Sequence, residues 1–250
     1  MSFKDHFSGQ AQRYAASRPH YSAQIFDFVA TLPVRRGLAW DSATGNGQAA
    51  LGLVERFDRV VATDASWQQL SHAPAHPRIE YRQALAERSG LADGSVDLAA
   101  AAAAVHWFDF DRYYAEVQRV LAPGGAVAVW TYDLMQVAPD LDPLVRRLAR
   151  EIVASYWPPE RRWVDEEYRT IPFPFAEVEV PPLWIEEEWD FGRFLGYLGT
   201  WSATVRYFQA NGRDAADLIR PELAEAWGDR QATRTIRWPI VMRAGYPRAG

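Results

Sequence analysis

Between residues 38 and 132, short runs rich in Val, Leu, Ala and Ile alternate with helical stretches, and no other feature of the chain constrains its fold as strongly. Parallel neighbours in a sheet need a long crossover between them, usually a helix, so this alternation predicts a parallel sheet covered on both faces. The strands are expected at residues 38–41, 59–63, 79–83, 95–102 and 126–131. A helix over 48–57 puts Ala50, Leu51, Val54 and Phe57 on one face, and a short helix over 66–72 is stopped by Pro74. Asp109 caps a helix over 110–121 that Pro123, Gly124 and Gly125 end as a turn. The alanines of the fourth strand also suit a helix, but the Asp93-Gly94 turn before it, with Val96 and Leu98 inside it, favours a buried strand.

Beyond residue 133 the segments lengthen. A helix is expected over 139–155, a Pro- and Trp-rich connection over 157–174, and helices over 191–198, 202–209 and 214–227. Two strands complete the pattern, one over 177–188 interrupted by Pro181 and Pro182, the other over 235–243. The expected architecture is a doubly wound, mostly parallel seven-stranded α/β sheet with a helical cap. It forms one domain over 1–250: an N-terminal helical lid (1–37), a ligand-binding core (38–132) and a C-terminal half with cap helices and the last strands (133–250).

Composition narrows the function. Hydrophobic residues at 48% and charged residues at 24% are ordinary for a self-folding globular chain. A net charge of -5 without a basic run offers no attraction to phosphate backbones, so nucleic acid is excluded and a small-molecule partner expected. The absence of cysteine excludes disulfides, thiolate zinc sites and a cysteine nucleophile, and with Lys4 as the only lysine a Schiff-base mechanism is not expected. No apolar run approaches the ~20 residues of a membrane span and the first residues lack a signal-peptide core, so a cytoplasmic enzyme is expected. His72 and His76 have metal-like spacing, but Pro74 between them breaks the helix that would align their rings, and no metal is expected.

The chemistry concentrates in Ala39-Trp40-Asp41-Ser42-Ala43-Thr44-Gly45-Asn46-Gly47-Gln48, an acidic strand end followed by a Gly-rich turn into a helix. Glycines there let a ligand approach the backbone, and Asp64 at the tip of the next strand is placed to accept ribose hydroxyls. This segment resembles the first motif of class I S-adenosylmethionine-dependent methyltransferases, acidic-x-Gly-x-Gly-x-Gly. Asp41, Gly45 and Gly47 match it, and Ala43 replaces the first glycine. That alanine would forbid binding only if its backbone needed positive φ. Further matches follow in order: Asp64 with Ala65, then Ala86-Glu87 in the adenine-contacting loop, then Leu121-Ala122-Pro123-Gly124-Gly125 before the fifth strand. His106-Trp107-Phe108-Asp109 is similar to the type 11 methyltransferase-domain subgroup that includes trans-aconitate methyltransferase-like proteins. The N-terminal Phe7, Tyr14, Arg18, Pro19 and Tyr21 resemble that subgroup's leading helix, and Trp201-Ser202 its cap.

The resemblance implies S-adenosylmethionine as cofactor, bound by Asp41, Ala43, Gly45, Gly47, Asp64, Ala65, Ala86, Glu87, His106, Tyr14 and Arg18. It also implies methyl transfer to a small molecule, with Arg18 and Arg206 pointing to an anionic or carboxylate acceptor. His106 and Tyr14 are the candidate bases, and Trp107, Trp201, Arg206 and Tyr207 the candidate acceptor contacts. Two alternatives stay open. Gly45-x-Gly47-x-x-Ala50 with Asp64 also satisfies a dinucleotide fingerprint, which would make the chain a nicotinamide-dependent oxidoreductase; and Ala43 could mark a non-catalytic interaction module. Asp41, for its part, could simply cap the helix that follows it.

Overall fold

The computed structural model describes residues 18–248, so that Phe7 and Tyr14 lie outside the described residues. After α1 (Ala23–Val29) come β1 (Leu38–Ser42), α2 (Gln48–Val54), β2 (Arg59–Asp64), α3 (Trp67–Leu70), β3 (Ile79–Gln83) and β4 (Val96–Ala102). A 3-10 turn (Val105–Trp107), α4 (Phe110–Val120) and β5 (Leu121–Tyr132) complete the first half. The second half holds α5 (Asp142–Arg147), α6 (Arg161–Asp165), β6 (Phe175–Glu177), β7 (Trp184–Trp189), α7 (Phe191–Gly199), α8 (Ser202–Asn211), α9 (Arg220–Trp227) and β8 (Arg234–Pro247).

The sheet order is β3-β2-β1-β4-β5-β8-β6, with β7 pairing β8. The first five strands are parallel, whereas β8 runs antiparallel to β5, β6 and β7. From β1 the chain winds outward through β2 and β3, then returns to place β4 on the other side of β1. The order reverses at that point, the switch point outside which open α/β sheets place their ligands.

Alternation along each strand fills both faces. Ala39, Val60, Ala62, Leu98, Ala100 and Ala128 pack with α1 and α2 on one side. Trp40, Val61, Ala99, Val127 and Val129 pack with α4 and the segment from Val164 to Phe175 on the other. Trp40 is fully buried because Thr63 Oγ1 accepts its indole N–H at 2.9 Å. Small residues in β4 let both helical layers sit close to the sheet, which explains a strand built largely of alanine.

Three expectations are corrected. The Leu121-Ala122-Pro123-Gly124-Gly125 segment is the bulged start of β5, since Val96 pairs with Leu121 and Leu98 with Ala126. Gly125 is required there: a Cβ would lie 2.9 Å from both the Ala122 and Val96 carbonyl oxygens. The strand expected over 177–188 is two strands, giving eight in the sheet, because Pro181 and Pro182 interrupt the ladder. The last predicted helix is a 3-10 turn at Ala215–Leu218 followed by α9, with Pro221 in the first turn of the new helix.

Candidate active site

The carboxylates of β1 and β2 meet above the switch point. Asp41 is completely buried at the tip of β1. Thr44 Oγ1 donates to its Oδ2 at 2.5 Å, while Oδ1 has no hydrogen-bond partner among the described residues. The Ala50 amide at the start of α2 approaches the carboxyl, so Asp41 makes a helix-end interaction. Burial and the charge of Asp64, opposed by Thr44 and the Ala50 amide, push Asp41 from its ordinary 3.8 up to about 7. A dry carboxylate without a cation is costly, and the group responds by holding its proton.

Asp64 ties two loops together. Its Oδ2 accepts the Gly45 amide at 2.9 Å and its Oδ1 the Ser66 amide at 2.8 Å. The neighbouring Ala65 carbonyl accepts Gln83 Nε2 at 2.9 Å, joining this loop to the end of β3. Gly47 adopts φ +84°, and a Cβ on it would lie 2.6 Å from the Tyr81 hydroxyl of β3. That hydroxyl is buried without a partner among the described residues, and burial together with the charge of Asp41 raises its pKa. Ala43 has φ 52°. The backbone thus does need positive φ there, and the alanine adopts it; a non-glycine residue pays for that conformation in stability, but the turn still forms.

Ala86 is buried, and Glu87 Oε1 accepts the Asp109 amide at 3.0 Å, fastening the loop after β3 to the cap of α4. His106, half-buried on its 3-10 turn, lies with its ring tilted at 45° and 5.0 Å from that of Trp107 and has Nδ1 2.7 Å from the Tyr168 hydroxyl. Burial and the positive charge of Arg161 push His106 down to about 3, so it is neutral near pH 7 and a weak proton acceptor. Arg18 donates to the Tyr132 hydroxyl at 3.2 Å at the end of β5 and lies 5.5 Å over the ring of Tyr197.

The cap candidates divide. Trp201 is 4% exposed and packs against Trp157 and Tyr197, and Tyr207 is 7% exposed against Tyr156, so both belong to the core cluster. Arg206 donates to the Tyr156 carbonyl at 3.3 Å. Sequence reasoning missed Thr44, Tyr81 and Tyr168. Thr44, three residues after Asp41 in the motif itself, carries a local signal, whereas Tyr168 reaches His106 from 62 positions away and carries none.

Residues 40–129 match the family model described as a methyltransferase domain. A protein of Dictyostelium discoideum assigned as a methyltransferase is 30% identical over 248 residues, covering 96% of this chain and 94% of that protein. A solved structure from Anaeromyxobacter dehalogenans, assigned as a type II methyltransferase, superposes with a TM-score of 0.88 at 47% identity, over 92% of this chain and 99% of that one. The phosphoethanolamine N-methyltransferase 2 of Haemonchus contortus, solved with phosphomonomethylethanolamine and S-adenosylhomocysteine, shares the fold. Its TM-score is 0.50 at 16% identity, over 99% of this chain and 61% of that one. The sheet order and these likenesses define a Rossmann-like class I methyltransferase, an enzyme that depends on S-adenosylmethionine. The chain belongs to the family with the type 11 methyltransferase domain.

Proposed function

We propose that the crevice between β1 and β4 holds S-adenosylmethionine and that the chain transfers its methyl group to a small anionic acceptor, a carboxylate, as in the trans-aconitate methyltransferase-like subgroup. One observation carries the cofactor assignment: a completely buried carboxyl, Asp41, has an oxygen without a partner beneath a turn that must stay free of side chains at Gly47. An ammonium group would supply that oxygen with both a hydrogen-bond donor and the positive charge that lets the buried carboxyl ionise, whereas a dinucleotide's pyrophosphate supplies neither, and this favours the adenosyl cofactor over the nicotinamide-dependent reading. The bound S-adenosylhomocysteine of the Haemonchus enzyme fits the same reading.

Asp64 takes the ribose hydroxyls, Ala65, Ala86 and Glu87 border the adenine, and Ala43, Gly45 and Gly47 line the turn. When bound, the cofactor supplies an activated methyl group on a sulfonium. The chain then has to orient the nucleophile behind that carbon and exclude water. His106 is depressed too far to take a proton from the acceptor at neutral pH. An acceptor that arrives ionised needs no base, and this favours a carboxylate over an alcohol or amine. His106 and Trp107 line the acceptor side, and Arg18 provides positive charge there. Tyr14, Trp201, Arg206 and Tyr207 complete the set proposed from the sequence.

Calorimetry with S-adenosylmethionine and S-adenosylhomocysteine tests the cofactor, and absence of heat refutes it. Incubation with methyl-labelled cofactor and a panel of small carboxylic acids, trans-aconitate included, tests the acceptor. An ester product releases its label as methanol in alkali, and label retained through that treatment rules out a carboxylate.

A further inference from the structure

After α6 the backbone enters the left-handed region at two successive residues that are not glycine, Glu167 with φ 53° and Tyr168 with φ 57°. The turn is held by Glu167 N–H to the Val164 carbonyl at 2.9 Å and Tyr168 N–H to the Trp163 carbonyl at 2.8 Å. Arg243 donates to the Tyr168 and Ile171 carbonyls from β8. Such backbone persists only where its surroundings over-determine it. Its result is to turn Tyr168 fully inward, with no exposed surface, onto the edge of His106.

We propose that Tyr168 is a positioning residue that holds His106 with its proton on Nε2, so that the imidazole offers a hydrogen-bond donor to the methyl acceptor. The inference rests on the placement of His106 in the acceptor pocket. The Tyr168 hydroxyl has one proton and two neighbours, His106 Nδ1 at 2.7 Å and the hydroxyl of Thr131. A phenol is the better acid of the two hydroxyls and a neutral imidazole nitrogen the better base, so the phenol proton goes to Nδ1 and Thr131 donates to the phenol oxygen. The reverse arrangement would send the Thr131 proton to the Tyr132 carbonyl at 3.5 Å, a poor bond. A ring that accepts at Nδ1 and is neutral carries its hydrogen on Nε2. Arg161, the charged group facing the ring, disfavours a second proton.

Two-bond proton-nitrogen correlation on the 15N-labelled full chain, with His106 assigned from its loss in His106→Gln, reads the tautomer directly. The expected result is an unprotonated Nδ1 and a protonated Nε2, with loss of that preference in Tyr168→Phe. Thr131→Val, which keeps the phenol, leaves the tautomer unchanged. A proton on Nδ1 in the unaltered chain, a switch in Thr131→Val, or an unchanged preference in folded Tyr168→Phe overturns the proposal. Addition of S-adenosylhomocysteine separates the two readings. If calorimetry shows it does not bind, the site assignment falls whatever the tautomer; if it binds while Nδ1 carries the proton, only the role of Tyr168 falls.

Discussion

Replacing Asp41 with asparagine keeps the size of the side chain and removes its charge, which makes the burial of this carboxyl measurable. In the folded chain Asp41 is pushed from 3.8 up to about 7. Between these values the unfolded chain has released the proton and the folded chain still holds it. The folded state therefore binds more protons, and the contribution of Asp41 to stability falls as pH rises through this window, levelling off above about 7. A separation of about 3 pH units at about 1.4 kcal/mol each corresponds to about 4 kcal/mol. His106, pushed down to about 3, acts in the opposite direction: the unfolded chain binds the proton first, so stability rises with pH up to the ordinary histidine range. The two slopes mask one another in the unaltered chain, so the informative quantity is the difference between Asp41→Asn and the unaltered chain, in both of which His106 is present. Urea unfolding from about pH 4 to about pH 8 should show that difference moving in favour of Asp41→Asn by about 4 kcal/mol. A difference constant to within about 1 kcal/mol would refute the claim that an unpaired, ionisable carboxyl lies buried here.

Three further outcomes are expected. Asp64→Ala releases the Gly45 and Ser66 amides together with the ribose, and should weaken S-adenosylhomocysteine binding by about 1–3 kcal/mol in calorimetry; unchanged affinity would remove Asp64 from the site. Ala43→Gly relieves left-handed strain of about 1–2 kcal/mol against an unfolded-state entropy loss of about 0.4–1 kcal/mol, so the melting temperature should rise by ~2 °C, and a fall would contradict the strain. Gly125→Ala presses a methyl against two backbone oxygens that cannot yield, and denaturant unfolding should show a loss of about 1–3 kcal/mol.

The first five strands were legible because each signal was local: a run of buried residues, a turn, then a helix. The nucleotide-type turn was legible for the same reason, since Asp41, Gly45 and Gly47 act within one bend. Where the reading slipped, pairing partners distant in sequence decided the outcome. Pro123-Gly124-Gly125 looks like a turn, yet Val96 of β4 draws Leu121 into the ladder and makes the segment a bulge. The contacts of Trp201 with Trp157 and of Tyr207 with Tyr156 likewise join segments distant in sequence, and no local signal foretold them. Tyr168 was invisible, because its contact with His106 arises from the geometry of a turn after α6 that meets the 105–107 segment on the same face of the sheet.

The longest strand carries a constraint of its own. Over 14 residues, β8 pairs first with β7 and then with β5 and β6, changing partner at Pro239, whose missing N–H falls at the handover. Ile236 and Trp238 are buried in its first half and Ala244 in its second. Because neighbouring residues of a strand face opposite ways, inserting or deleting one residue near Pro239 would turn one half inside out while the other stayed seated. The span of β8 that joins its pairing with β7 to its pairing with β5 can therefore change in length only in steps of two.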